Sequence, residues 1–117
     1  MEEIRRGDIF YARLGDEEEY EKKNIHIQGG IRPVLVVQNN VGNHFSPVTI
    51  VVPVTTAHKA KKIPTHYTYY HKKSHGTILC EQISTISKNN LINKIDELAK
   101  FEMSNIDEKL KISIGLE

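Results

Sequence analysis

Residues 29–47 read GGIRPVLVVQNNVGNHFSP, and the fold turns on the change from loop to core inside this stretch. Val34 to Val37 form a continuous aliphatic run, the pattern of a strand buried on both faces. Gly29 and Gly30 admit backbone angles that other residues avoid. Pro33 fixes its own φ and drives Arg32 toward an extended conformation. Arg32 therefore stands where a flexible loop becomes a rigid strand. Two readings follow: a strand-end arginine paired with a surface carboxylate, or a cation mounted on a rigid frame for function. Beyond the run, NNVGNHFSP is a turn-rich connection built from Asn, Gly, Ser and Pro.

Outward from this stretch, Ile4 to Leu14 reads as a strand that follows a turn at Gly7-Asp8. Residues 15–24 form a polar, charge-rich loop with no periodicity. VTIVVPVTT predicts a third strand from Val48 to Thr55. Pro53 removes one ladder donor, which places that strand at an edge or a bulge. PTHYTYYH and GTILCEQISTI carry β-favouring residues and predict two more strands. On a continuous strand, adjacent Glu81 and Gln82 point to opposite faces. Leu91, Ile92, Ile95 and Leu98 fit helical spacing but also allow a short strand. Near the end, Ser104 reads as an N-cap with Asp107 and Glu108 favouring the helix start. Ile106, Leu110 and Ile114 give that helix an apolar face, and Gly115 ends it. Short strands followed by one C-terminal helix predict a mostly β (α+β) domain, a barrel or strongly curled sheet.

The 117 residues predict a single domain over 1–117, with 38% hydrophobic and 26% charged residues sufficient for one soluble core. No apolar run reaches membrane-spanning length, and the opening MEEIRRGD is not a signal sequence. Cys80 is the sole cysteine, which excludes an internal disulfide framework and fits a reducing cytoplasm. Its apolar neighbours make it a buried small hydrophobe rather than a nucleophile. A net charge of +1 hides an acidic block, DEEEYE at 16–21, and a basic segment at 58–75 with no acidic residue. Lys59, Lys61, Lys62, Lys72 and Lys73 in that segment make either a phosphate-attracting stripe or a solvated loop face. His66, His71 and His75 with Cys80 lack the close paired spacings of zinc sites, so no metal is expected. No glycine-rich phosphate loop, nucleophile elbow or zinc-protease helix is present.

In chain order, RRGDIFYARL, GGIRPVLVVQNNVGNHFSP, TIVVPVTT, KIPTHY, CEQISTI and KISIGLE together resemble the MazF/PemK family of toxin endoribonucleases. The resemblance implies an SH3-like β-barrel with a C-terminal α-helix and a homodimer. It implies cleavage of single-stranded RNA at short sequences without metal or other cofactor. It also implies neutralisation by a cognate antitoxin, whose acidic, partly disordered segment suits a phosphate track. It makes the KIDELA region a strand and starts the helix between Phe101 and Ser104.

Carried over by residue, the family's catalytic arginine falls on Arg32 and its threonine on Thr55, with Thr56 as the neighbouring alternative. Glu81 and Gln82 of CEQ are further catalytic or RNA-binding candidates, and Lys59, Lys61 and Lys62 flank the expected RNA path. The chain departs from the family at Ile27, where many relatives carry a glutamate before the two glycines. Its preceding loop is longer, so a residue among 17–21 is a candidate replacement. Leu79 stands where some plasmid relatives carry an arginine, so their acid/base pairing does not transfer whole. The rival from another class is a non-catalytic toxin of the same fold that binds a protein target such as gyrase. The joint presence of Arg32 and Thr55, and the absence of tryptophan, weigh against it.

Overall fold

The computed structural model describes residues 3–56 and 63–116. Its elements are β1 (Asp8–Arg13), α1 (Glu17–Lys22), β2 (Ile31–Val36), α2 (Asn40–Phe45) and β3 (Val48–Thr55). There follow β4 (His66–Tyr70), β5 (His75–Leu79), β6 (Ser84–Ser87), a 3₁₀ turn at Lys88–Asn90, β7 (Leu91–Glu97) and α3 (Lys100–Ser113). All pairings are antiparallel, in the order β4-β5-β3-β2-β1-β7, with β6 alongside β3 as well. The result is a curled half-barrel carrying a C-terminal helix.

Period-two alternation sends side chains to two separate packing clusters. Ile9, Leu35, Val52, Val54 and Ile78 meet Ile106 of α3 on one face. Phe10, Ala12, Val34, Val36 and Val51 pack with Ile4 on the other. The aliphatic run of β2 thus fills both clusters, as its composition requires. Each such side chain contributes roughly 1.5–3 kcal/mol by leaving water.

Several local expectations change. The polar stretch 15–24 contains α1, capped by Asp16, whose carboxylate accepts from the Glu19 N–H at 3.1 Å. Glu17, Glu18 and Glu19 occupy its first turn, where the helix dipole favours acid. The helix buries no residue, so it leaves no apolar period to read. Likewise α2 lies inside the turn-rich connection, capped by Asn39 and held by polar contacts. Its Asn43 Oδ1 accepts from Gln38 Nε2 at 3.1 Å and from the Thr49 hydroxyl at 2.7 Å.

Strand β3 is central rather than an edge. On one flank β6 pairs with Val48–Val51 and β5 resumes at Val54 and Thr55. Pro53 falls in the interval where the partner changes, so its missing N–H interrupts no registered pair there. GTILCEQISTI is not one strand: β5 ends at Leu79, and the Gln82 N–H closes a turn on the Leu79 carbonyl at 3.0 Å. The opposite-face argument for Glu81 and Gln82 falls with it. Residues 91–97 are strand β7, not helix.

Helix α3 starts at Lys100, just ahead of the Phe101–Ser104 window, with Ala99 in place of Ser104 at the N-cap. Ala99 has no side-chain acceptor, and Glu102 compensates by taking the Ala99 N–H at 2.9 Å. Gly115, at φ +79°, follows the helix end as expected.

A charged clamp ties the β4–β5 hairpin to the rest. His71 Nδ1 lies 3.0 Å from Asp96 of β7, and Nε2 lies 2.9 Å from Glu102 of α3. The Ser74 hydroxyl donates to the same Asp96 at 2.6 Å. Burial pushes the His71 pKa down, but hydrogen bonds to Glu102 and Asp96 outweigh it, and the net shift is upward. Asp96 moves the other way: burial raises its pKa, and bonds from Ser74, the Glu97 N–H and His71 bring it below the ordinary value.

Candidate active site

Alternation puts Arg32, Val34 and Val36 of β2 on one face, together with Val51, Pro53 and Thr55 of β3. The ladder runs from Val36 with Val51 to Val34 with Pro53, and Arg32 and Thr55 each lie two residues beyond its end on that face. On the other side Arg32 pairs with Ala12. Thr55 in turn pairs with Thr77 of β5, and Thr77 pairs with Thr68 of β4. Thr55, Thr77 and Thr68 therefore form one row across β3, β5 and β4, and Arg32 with Ala12 continues the same face on β2 and β1. The hydroxyls of Thr68 and Thr77 lie 2.9 Å apart. Thr55 and Thr77 are both buried, while Thr68 is exposed. Strand β5 approaches β3 closely here, since a β-carbon on Gly76 would lie 3.0 Å from the Thr55 carbonyl oxygen.

The guanidinium of Arg32 is held from behind by the loop before β2. Its Nε donates to the Gly29 carbonyl at 3.1 Å, and Nη2 makes a short ion pair with Glu17 of α1. Gly30, at φ +72°, turns the chain into β2. Gly29 has no room for a side chain: a β-carbon there would sit 2.7 Å from the Gly15 carbonyl oxygen and 2.9 Å from the Tyr20 ring. The carboxylate-paired reading of Arg32 is thus the one seen directly. It pairs with a carboxylate, and it borders the threonine row. With Ile27 in the family's glutamate position, the acid in contact with Arg32 is Glu17, from within the 17–21 range.

The CEQ turn divides its two candidates. Gln82 Oε1 accepts from the Gln28 N–H at 3.0 Å. It lines a cleft of about 460 Å³ with Tyr20, Ile27, Val34 and Pro53. Glu81 instead accepts from the Thr65 hydroxyl at 2.9 Å and lies 3.1 Å from His66 Nε2. Burial raises the Glu81 pKa, and its own N–H, His66 and Thr65 more than reverse this, leaving it below the ordinary range. Its hydrogen bonds lead away from Arg32.

Thr56 follows the end of β3 and is exposed. Alternation turns it from the face that Thr55 shares with Arg32. Lys59, Lys61 and Lys62 lie outside the described residues. Lys72 and Lys73 are exposed in the β4–β5 connection. Cys80 is fully buried, its thiol pushed by burial up to about 12, which fits a packing role. Thr68 and Thr77 escaped the sequence reading because cross-strand register is invisible in the chain. The only signal was hydroxyl residues in two adjacent strand segments.

A family model of PemK-like, MazF-like toxins of type II toxin–antitoxin systems matches residues 5–114. Endoribonuclease EndoA of Bacillus subtilis (strain 168) is 41% identical over 117 residues, spanning 97% of this chain and 96% of that protein. Endoribonuclease MazF of Staphylococcus epidermidis is 40% identical, over 97% and 92% respectively. A solved mycobacterial endoribonuclease in complex with its cognate antitoxin superposes with a TM-score of 0.79 at 24% identity, covering 97% of each chain. That likeness extends the expected SH3-like barrel with its C-terminal helix to the observed half-barrel. A match across nearly the whole chain, together with two relatives near 40% identity, places this protein in the PemK-like, MazF-like toxin family of type II toxin–antitoxin systems.

Proposed function

We propose that this chain is a sequence-specific endoribonuclease that cuts single-stranded mRNA without metal, by attack of a ribose 2′-OH on the adjacent phosphorus. The observation that carries the reading is the sheet face shared by Arg32 and Thr55, each two residues beyond the Val34–Pro53 pair. The guanidinium offers a planar fork of donors to the phosphate oxygens, and the threonine hydroxyl adds another. These donors stabilise charge on the pentacoordinate phosphorus. An arginine guanidinium keeps its proton throughout the physiological range, so it is not the base.

Glu17 is the carboxylate in contact with Arg32. When a phosphate takes over the guanidinium, Glu17 is released beside it and accepts the 2′-proton. The O2′–P bond forms, the P–O5′ bond breaks, and the departing 5′-oxygen, hydrogen-bonded to Arg32, takes its proton from solvent water. The products are a 2′,3′-cyclic phosphate and a 5′-OH.

In this reading the chain acts as one domain in the cytoplasm and as a homodimer. A cognate antitoxin neutralises it by laying an acidic segment along the RNA path. The antitoxin-bound mycobacterial neighbour supports that partner class.

The test is digestion of a long, mixed-sequence single-stranded RNA in EDTA by the wild type and by Arg32→Ala. Defined fragments ending in 2′,3′-cyclic phosphate are expected, with the variant slower by about 100- to 1000-fold. Intact RNA with folded wild-type protein overturns the reading and directs attention to a protein target.

A further inference from the structure

The face that carries Arg32 and Thr55 does not end at Thr68. Two residues along β4 lies Tyr70, 82% exposed, while its neighbour Tyr69 is 2% exposed and packed in the core beneath α3. Alternation therefore puts the Tyr70 ring on the Arg32 face. It pairs across the hairpin with His75, and the connection between them contributes exposed Lys72 and Lys73. Two interstrand steps of about 4.8 Å and two residues of about 3.3 Å separate Tyr70 from Thr55, about 12 Å in all. A short run of extended nucleic acid covers that distance.

The arrangement combines what single-strand binding requires. An aromatic ring stands free in solvent where a base can stack, cations lie next to it, and hydrogen-bond donors continue toward the candidate reaction centre. A ring exposed to this extent contributes little burial to the folded chain and is open to a partner. The clamp of His71 on Asp96 and Glu102 fixes the hairpin beside it, so the ring sits on a rigid support.

We propose that Tyr70 is a stacking platform for an unpaired nucleobase of the substrate strand, with Thr68 and Thr77 carrying its sugar–phosphate toward Thr55 and Arg32. This inference rests on the ribonuclease reading for its substrate, but it is tested separately. The probe is mixed-sequence single-stranded DNA, which lacks the 2′-OH and survives this chemistry while keeping bases and phosphates. Fluorescence anisotropy should show Tyr70→Ala binding it about ten-fold more weakly, Tyr70→Leu similarly weak, and Tyr70→Phe like the wild type.

In RNA cleavage the loss should fall on KM rather than kcat, which a merely structural effect does not select. Thermal melts of the three variants should coincide, since the ring is solvent-exposed. Equal affinities for wild type and Tyr70→Ala overturn the platform, whether or not Arg32-dependent cleavage stands. Loss in Tyr70→Phe equal to that in Tyr70→Ala also overturns it, because it assigns the effect to the hydroxyl.

Discussion

Arg32 is held by two contacts of different kinds, and they have different fates when substrate arrives. The bond to the Gly29 carbonyl fixes the side chain's direction, and the ion pair with Glu17 occupies the edge that a phosphate needs. In the proposed reaction, substrate displaces an internal anion before it is bound. Glu17→Gln keeps the size of the side chain and removes the charge. Its KM for RNA should fall several-fold, because phosphate no longer competes with a carboxylate. Its kcat should fall about 100-fold or more, because the proton acceptor is gone. An unchanged kcat sinks the assignment of Glu17 as base. Arg32 itself was legible in the sequence, since Gly-Gly before it and Pro after it dictate a loop-to-strand boundary. Glu17 was legible only as one of a block of acids, because its contact with Arg32 is made by a loop folding back.

At the scale of elements, the hairpin of β4 and β5 depends on charge rather than on apolar burial alone. His71 bridges two carboxylates from β7 and α3, with Tyr69, Ser74 and the Ala99 N–H completing the network. A histidine with a raised pKa stabilises the fold fully below its unfolded value near 6.5, and this contribution is lost as pH climbs through the raised value. Asp96, with a lowered pKa, contributes above the ordinary carboxylate value and loses that contribution as pH falls through the depressed one. The clamp is therefore complete in the mildly acid range between those two ordinary values. Urea midpoints should decline as pH rises past neutrality, and His71→Gln should flatten that decline while costing about 2 kcal/mol at pH 6. A decline that persists unaltered in His71→Gln places the sensitivity elsewhere. Elements held by such polar contacts are the ones the sequence concealed. Helices α1 and α2 have no apolar stripe, and Ala99 lacks the side chain of a cap. Strands β1, β2 and β3 were plain because hydrophobic alternation or runs encode them directly.

Over the whole molecule, the sheet has one face covered by α3 and another whose open end carries the arginine, the threonine row and an exposed tyrosine. Fold class followed from strand composition and from the resemblance, whereas the row of Thr55, Thr77 and Thr68 depends on register, which only the assembled sheet reveals. The partner exchange at Pro53 has a further consequence. On that flank of β3, among the described residues, the hairpin of β4 and β5 is registered through Val54 with Ile78 and Thr55 with Thr77, while β2, β1 and β7 form a longer paired body. A proline that donates no hydrogen bond marks the seam. The sheet thus has two cooperative units of unequal strength. In native-state deuterium exchange, amides of 66–79 should open together at lower free energy than those of β1 and β2. Conditions that titrate His71 to its neutral form should widen that difference. Thr55 lies at the border between the two units, so substrate bound in the proposed reaction centre spans both and becomes the strut that joins them.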